Sequence, residues 1–244
     1  MTDVEEIALQ AGRITRGVVR VGDTVRRPAK ASSPFMAQLL EYLEARGCCW
    51  APRYLGQDRS GRDVLSYLSG SVPAKWQTFA DDQLCAAAAI VRALHDVTSG
   101  SKLAPGGVVC HHDPGPNNFV FRDDRPVALI DFDTAAPGSA LEDLAYMAWA
   151  WCLSSNPLRG QIAVQARQVR TLVDAYGASA AERVQLPEAI VERLNRNVLF
   201  WSDRIANPVD TLTPLEKLPE LVAWSKRETR YVQAHHVDLV TALR

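Results

Sequence analysis

Residues 108–133 read Val-Val-Cys-His-His-Asp-Pro-Gly-Pro-Asn-Asn-Phe-Val-Phe-Arg-Asp-Asp-Arg-Pro-Val-Ala-Leu-Ile-Asp-Phe-Asp. The opening Val108-Val109-Cys110 predicts a short buried strand, and the loop after it is too rich in proline and glycine to be helix. Residues 118–121 and 127–130 are apolar runs joined by the charged turn Arg122-Asp123-Asp124-Arg125, which predicts a hairpin with near-equal arms. Such a hairpin returns Asp131 to the loop that holds Asp113. Phosphoryl transfer asks a protein mainly for positioning and charge neutralisation. It needs a carboxylate beside the acceptor hydroxyl, which Asp113 can supply. It also needs hard oxygen ligands for magnesium, and the Asn118 amide and the Asp131 carboxylate are of that kind.

Upstream, residues 17–21 and 24–27 are β-branched runs around the turn Gly22-Asp23, which predicts another hairpin. Ser33-Pro34 signals a helix start, Met36, Leu39, Leu40 and Leu43 continue at helical spacing, and Gly47 suits the end. Residues 53–56 and 63–67 predict two more strands. The stretch Leu68-Ser69-Gly70-Ser71-Val72-Pro73 changes composition, so a boundary is placed there, between an N-terminal part at 1–70 and a C-terminal part at 71–244. A helix over 81–95 follows, with Asp81 or Asp82 as its cap. Beyond Gly138 the pattern is helical at about 140–153, 160–176, 181–206 and 215–243. Hairpin, helix, hairpin and then helices make an α+β chain.

The bulk composition narrows the function classes. The chain has 244 residues, 47% hydrophobic and 23% charged, with a net charge of -1. No overall field selects nucleic acid or an anionic membrane as a partner. The acidic start lacks the basic-then-apolar run of a signal peptide, and no apolar stretch reaches the length of a membrane span. Five cysteines, an odd number without zinc-type spacing, predict reduced thiols and a cytoplasmic location. Cys110, His111, His112 and Asp113 are all zinc-ligand types, but consecutive residues rarely face one ion and no second ligand pair stands at zinc spacing.

The run His111-His112-Asp113-Pro114-Gly115-Pro116-Asn117-Asn118 resembles the HxDxxxxN loop of aminoglycoside phosphotransferases and choline-kinase-like enzymes. Ile130-Asp131-Phe132-Asp133 resembles the element that replaces the DFG motif in that family. Gly138-Ser139-Ala140-Leu141-Glu142-Asp143-Leu144-Ala145 resembles its downstream helix start. The resemblance is sharpest between 108 and 148. It implies a bilobal protein-kinase-like fold, with a short β-rich N-lobe on the nucleotide side and a mostly helical C-lobe. It implies an ATP-dependent, Mg2+-assisted kinase acting on a hydroxyl of a small molecule. Asp113 becomes the catalytic base, Asn118 and Asp131 the magnesium ligands, and His111 the residue that holds the loop. Asp143 becomes a structural group that caps its helix and ties it to the loop, with Asp133 in support. The backbone around Tyr67 and Leu68 would receive the adenine.

The N-terminal part departs from this pattern. Thr24-Val25-Arg26-Arg27-Pro28 resembles the VLRRP strand ending found in parts of the family, so Arg26 is expected to stand where a kinase has its phosphate-binding lysine. The following helix has Met36, Ala37 and Gln38 where the acidic partner of that lysine belongs. The phosphate loop, residues 12–17, holds Arg13 and Arg16 but no GxGxxG. Two function classes therefore remain open. One is a working small-molecule kinase; the other is a kinase-fold binding protein without efficient transfer, a variant of which resembles trifolitoxin-immunity-like proteins. Residues 151–244 carry twelve Lys/Arg against ten Asp/Glu, which suits a neutral or zwitterionic alcohol at least as well as a polycationic aminoglycoside.

Overall fold

The computed structural model of the chain describes residues 5–9, 17–74, 77–208 and 213–244. Arg13 and Arg16, singled out above, lie outside the described residues. Strands β1 (Glu6–Ala8), β2 (Val19–Val21), β3 (Thr24–Pro28), β4 (Tyr54–Gln57) and β5 (Arg62–Ser66) form one antiparallel sheet in the order β1-β2-β3-β5-β4. Helix α1 (Ser33–Glu44) buries Met36, Leu39, Leu40 and Leu43, the stripe expected from the sequence. Ser33 does not cap it. Its hydroxyl accepts from the Lys30 N–H at 2.9 Å and donates to the buried carboxylate of Asp63.

The remainder is mostly helical, around two small hairpin-like sheets. Helix α2 (Asp81–Thr98) begins at Ala80, where the Gln83 side chain accepts from the Ala80 N–H at 2.9 Å; Asp81 and Asp82 occupy its first turn rather than the cap. Strand β6 (Val108–Cys110) pairs with β9 (Ala136–Gly138), a strand the sequence pattern did not signal. Strands β7 (Phe119–Arg122) and β8 (Arg125–Leu129) form the expected hairpin. Asp123 and Asp124 both have positive φ, 49° and 59°, as a tight two-residue turn with right-handed strand twist requires. Then come α3 (Ala140–Met147), a π-helical turn (Ala148–Cys152), α4 (Ile162–Tyr176) and α5 (Ala180–Ala206). Helices α6 (Leu218–Ala234) and α7 (His236–Leu243) complete the chain. The break at His235 divides what periodicity alone reads as one helix. No helix among the described residues is long and apolar enough to cross a membrane.

Two contacts carry the site-bearing hairpin. Gly70 has φ of 146°, and a Cβ there would stand 2.4 Å from the Phe121 carbonyl oxygen, so only glycine lets Ser71 exchange backbone hydrogen bonds with Phe121. On the other side, fully buried Trp151 packs on Phe79, Phe119 and Phe121, and its indole N–H donates to the Pro114 carbonyl at 2.9 Å. The indole thus joins the helical core to the loop between β6 and β7.

The third tether is electrostatic. Asp143 is fully buried on α3 and accepts the backbone N–H groups of His111 and His112, each at 2.7 Å, and His95 Nε2–H at 3.0 Å. The helix cap expected of Asp143 is supplied instead by Ser139, whose hydroxyl accepts from the Leu141 N–H. Burial alone would push the Asp143 carboxyl up. The His95 hydrogen bond, the electrostatic pull of the nearby His95 and His111 rings and the His111 N–H outweigh that and hold it below the usual carboxylate range.

The Trp151 and Asp143 tethers are measurable. Trp151→Phe loses a buried hydrogen bond and part of a packed ring, so it is expected to cost about 2–4 kcal/mol in urea unfolding. Asp143→Asn should cost about 1–3 kcal/mol at neutral pH, because one loop N–H loses its acceptor. A depressed folded-state pKa contributes stability that is complete above the ordinary carboxylate value of about 4 and disappears as pH falls through the folded value. The gap between wild type and Asp143→Asn is therefore expected to narrow on acidification below about pH 4. A gap independent of pH would contradict a charged Asp143.

Candidate active site

The loop between β6 and β7 is built so that Asp113 has little freedom. His112 has a positive φ of 63°, which turns the chain abruptly before Asp113. The His111 ring bridges two segments: Nε2–H donates to the Ile130 carbonyl at 3.0 Å, and Nδ1 accepts from the Asp113 N–H at 3.3 Å. Thr134 adds a bond from its hydroxyl to the His111 carbonyl at 2.8 Å.

Asn118 stands at the foot of β7. Its amide N–H groups donate to the Asp113 carbonyl at 2.8 Å and to Asp113 Oδ2 at 3.0 Å. The Asn118 carbonyl accepts from the Ile130 N–H at 2.8 Å, across the hairpin, so the next residue, Asp131, emerges beside Asn118. The structure therefore brings Asp113, Asn118 and Asp131 into one neighbourhood. Asp131 has left-handed backbone angles, φ 65° and ψ 63°, rare for a non-glycine residue and common at functional sites. Asn118 donates with its nitrogen, so its Oδ1, which accepts from Asn117 at 3.0 Å, points elsewhere. The Asp131 side chain is 45% exposed. An amide oxygen and an accessible carboxylate form an oxygen donor set that fits a magnesium ion.

Cationic side chains surround the second carboxylate. Arg27, only 5% exposed, places one guanidinium nitrogen 3.4 Å from Asp131 Oδ1 and pairs its other with Asp133 Oδ1. Lys30 Nζ lies 2.6 Å from Asp133 Oδ2. Burial and the neighbouring Arg27 hold the Lys30 pKa below its ordinary value, against the upward pull of Asp131. Arg26, the arginine singled out from the sequence, sits on the opposite face of β3. It lies 3.6 Å from Asp58, which Arg62 also engages at 2.8 Å. Asp58 is an acidic partner that helix α1 does not offer. The signal for Arg27 was present in the two-residue period of the strand: Val25 and Arg27 share a face opposite Leu65 and Asp63. Thr24-Val-Arg-Arg-Pro does not say by itself which face looks inward.

Tyr67 and Leu68 follow β5 and are half-buried. The Tyr67 N–H donates to the Asp23 carbonyl at 2.8 Å, and the Arg20 guanidinium lies 3.9 Å over its ring. The other wall was not found from sequence. The Tyr146 hydroxyl on α3 donates to Asp113 Oδ1, the Arg193 guanidinium lies 4.6 Å over the Tyr146 ring, and Trp149 stands 5.6 Å away. Helical periodicity marks Tyr146 as core, and only the packing of α3 behind the loop reveals its polar end. The zinc alternative dissolves in geometry: Cys110 donates to Ser139 O, His111 bonds Ile130 O and His112 bonds Thr134 O, so the ligand atoms diverge. All five cysteines are free thiols.

Known proteins resemble this chain in sequence and in fold. Residues 101–186 match the family model of the phosphotransferase enzyme family. The trifolitoxin immunity protein of Rhizobium leguminosarum bv. trifolii is 30% identical, over 98% of this chain and 99% of that protein. Spectinomycin phosphotransferase, solved with ADP and spectinomycin, superposes with a TM-score of 0.65 at 11% identity, covering 96% of this chain and 93% of the other. A choline/ethanolamine kinase family protein from Mesorhizobium loti gives 0.60 at 19% identity, over 96% and 93%. The gentamicin complex of an aminoglycoside phosphotransferase gives 0.59 at 14% identity, over 93% and 91%. With its loop, hairpin and helix motifs joined as described, the chain has a kinase-like α+β fold, matches the phosphotransferase enzyme family over residues 101–186, and belongs to the family of the trifolitoxin immunity protein.

Proposed function

We propose that this protein is a small-molecule kinase that transfers the γ-phosphoryl group of ATP to a hydroxyl of its acceptor, with magnesium assistance. The observation that carries this reading is the bond from Asn118 to Asp113, in a hairpin that also delivers Asp131 to the same place. The solved relatives with ADP support a nucleotide in the corresponding cleft. The five-stranded sheet with α1, residues up to about 70, is then the nucleotide side, and the helical remainder holds the acceptor.

In this reading Asp113 accepts or orients the acceptor proton. Asn118 pins Oδ2, which leaves Oδ1 as the basic oxygen, and Tyr146 donates to that oxygen where an acceptor hydroxyl must dock. Asn118 Oδ1 and the Asp131 carboxylate would hold the metal, which when bound offsets charge on the phosphates. The backbone at Tyr67–Leu68 is the candidate for the base, whereas Arg26, for which a phosphate role was expected, is held by Asp58 on the face of β3 opposite the metal carboxylates. The Arg193 cation over Tyr146 favours a neutral or zwitterionic alcohol over a polycation.

A second reading, a kinase-fold binding or immunity protein with little transfer, is favoured by two observations. One is the immunity protein found at 30% identity; the other is the Arg27 contact to Asp131 in a site where α1 has no acid at Met36, Ala37 or Gln38. Release of labelled phosphate from ATP separates the two. Asp113→Asn is expected to lower turnover by about 10²–10⁴-fold, the usual worth of a positioned base. Equal turnover in wild type and Asp113→Asn would discard the kinase and leave the binding protein.

A further inference from the structure

The carboxylates at the end of β8 are not equivalent. Asp131 is 45% exposed and Asp133 is 15% exposed. Asp133 has both oxygens engaged, Oδ1 by Arg27 and Oδ2 by Lys30 at 2.6 Å. Asp131 has one, Oδ1, within 3.4 Å of Arg27. Two cations and two carboxylates balance, and a guanidinium buried as deeply as that of Arg27 requires such a balance. The planar fork of arginine reaches two carboxylates through separate nitrogens in a fixed geometry, where a lysine offers one compact ammonium.

We infer that Arg27, clamped by Asp133, is a positioning residue that holds Asp131 by one oxygen and leaves the other for a divalent cation. This rests on the reading of Asp131 as a metal ligand. Asp133 is then a counter-ion and not a second ligand, since Lys30 and Arg27 saturate it. The device also explains how the site manages without an acid at Met36, Ala37 or Gln38 of α1: Arg27 is held from the metal-binding side by Asp133, while Arg26, on the opposite strand face, has Asp58. Backbone and side chain act together on Asp131, whose left-handed angles set where the carboxylate begins and whose partner Arg27 sets where it ends.

Calorimetric titration with ADP, in excess magnesium and again in EDTA, tests the inference without relying on turnover. The wild type is expected to bind ADP more tightly with magnesium. In Arg27→Met and in Asp133→Asn that magnesium-dependent gain should fall about tenfold, with ADP affinity in EDTA changed less than twofold. The double variant should lose no more than the worse single one, because both changes break one clamp. Arg27→Lys, which keeps the charge and the fold but not the fork, should lose most of the gain. An undiminished gain in folded Arg27→Met or Arg27→Lys overturns the inference. An equal loss of affinity in EDTA also overturns it, because Arg27 would then be a phosphate ligand. A wild type that binds ADP identically with and without magnesium overturns the metal-ligand reading itself.

Discussion

The arrangement of the site depends on a carboxylate that takes no part in its chemistry. Asp143 is buried behind the loop and receives two consecutive backbone N–H groups, those of His111 and His112, together with His95. A buried acid stays charged only when such donors outweigh its desolvation, and the same donors are thereby fixed in place. Because the two N–H groups belong to the residues just before Asp113, the direction in which Asp113 leaves the loop is set from below. The His111 ring then hands that constraint on to Ile130, and so to Asp131. Helix α3, the loop and the hairpin are one unit, and Trp151 closes it against the aromatic core.

Around that unit, the electrostatics are paired and local. Asp63, Asp133 and Asp143 are each at least mostly buried, and each is met by named donors: Ser33 and Gln57, Arg27 and Lys30, and the loop N–H groups with His95. Asp131 differs from them because it keeps accessible surface beside its one tether. Asp113 is half-buried, with Tyr146 at one oxygen and Asn118 at the other. Saturated, buried carboxylates build the frame around these two.

Much of the fold was readable in the chain because its signals are short-range. Strand pairs flank tight turns, as with Val21↔Thr24 and Arg122↔Arg125, and α1 and α2 declare themselves through apolar stripes. The misses have physical causes as well. Ala136-Pro137-Gly138 has no strand propensity and becomes β9 because β6 offers it partners. Ser33 looks like a capping residue, yet its hydroxyl is drawn to the buried Asp63, a contact thirty residues away in sequence.

The sequence by itself determined the spacing of Asp113, Asn118 and Asp131 along a loop and a hairpin with near-equal arms. Their convergence follows from that spacing, since antiparallel pairing returns residue 131 to residue 118 whatever surrounds it. The tertiary structure alone decided which of Arg26 and Arg27 looks toward those carboxylates, and that Tyr146 reaches Asp113. Adjacent strand residues point to opposite faces, and the chemistry of two neighbouring arginines is identical. Only the packing of the sheet on α1 and the β7–β8 hairpin defines the inner face.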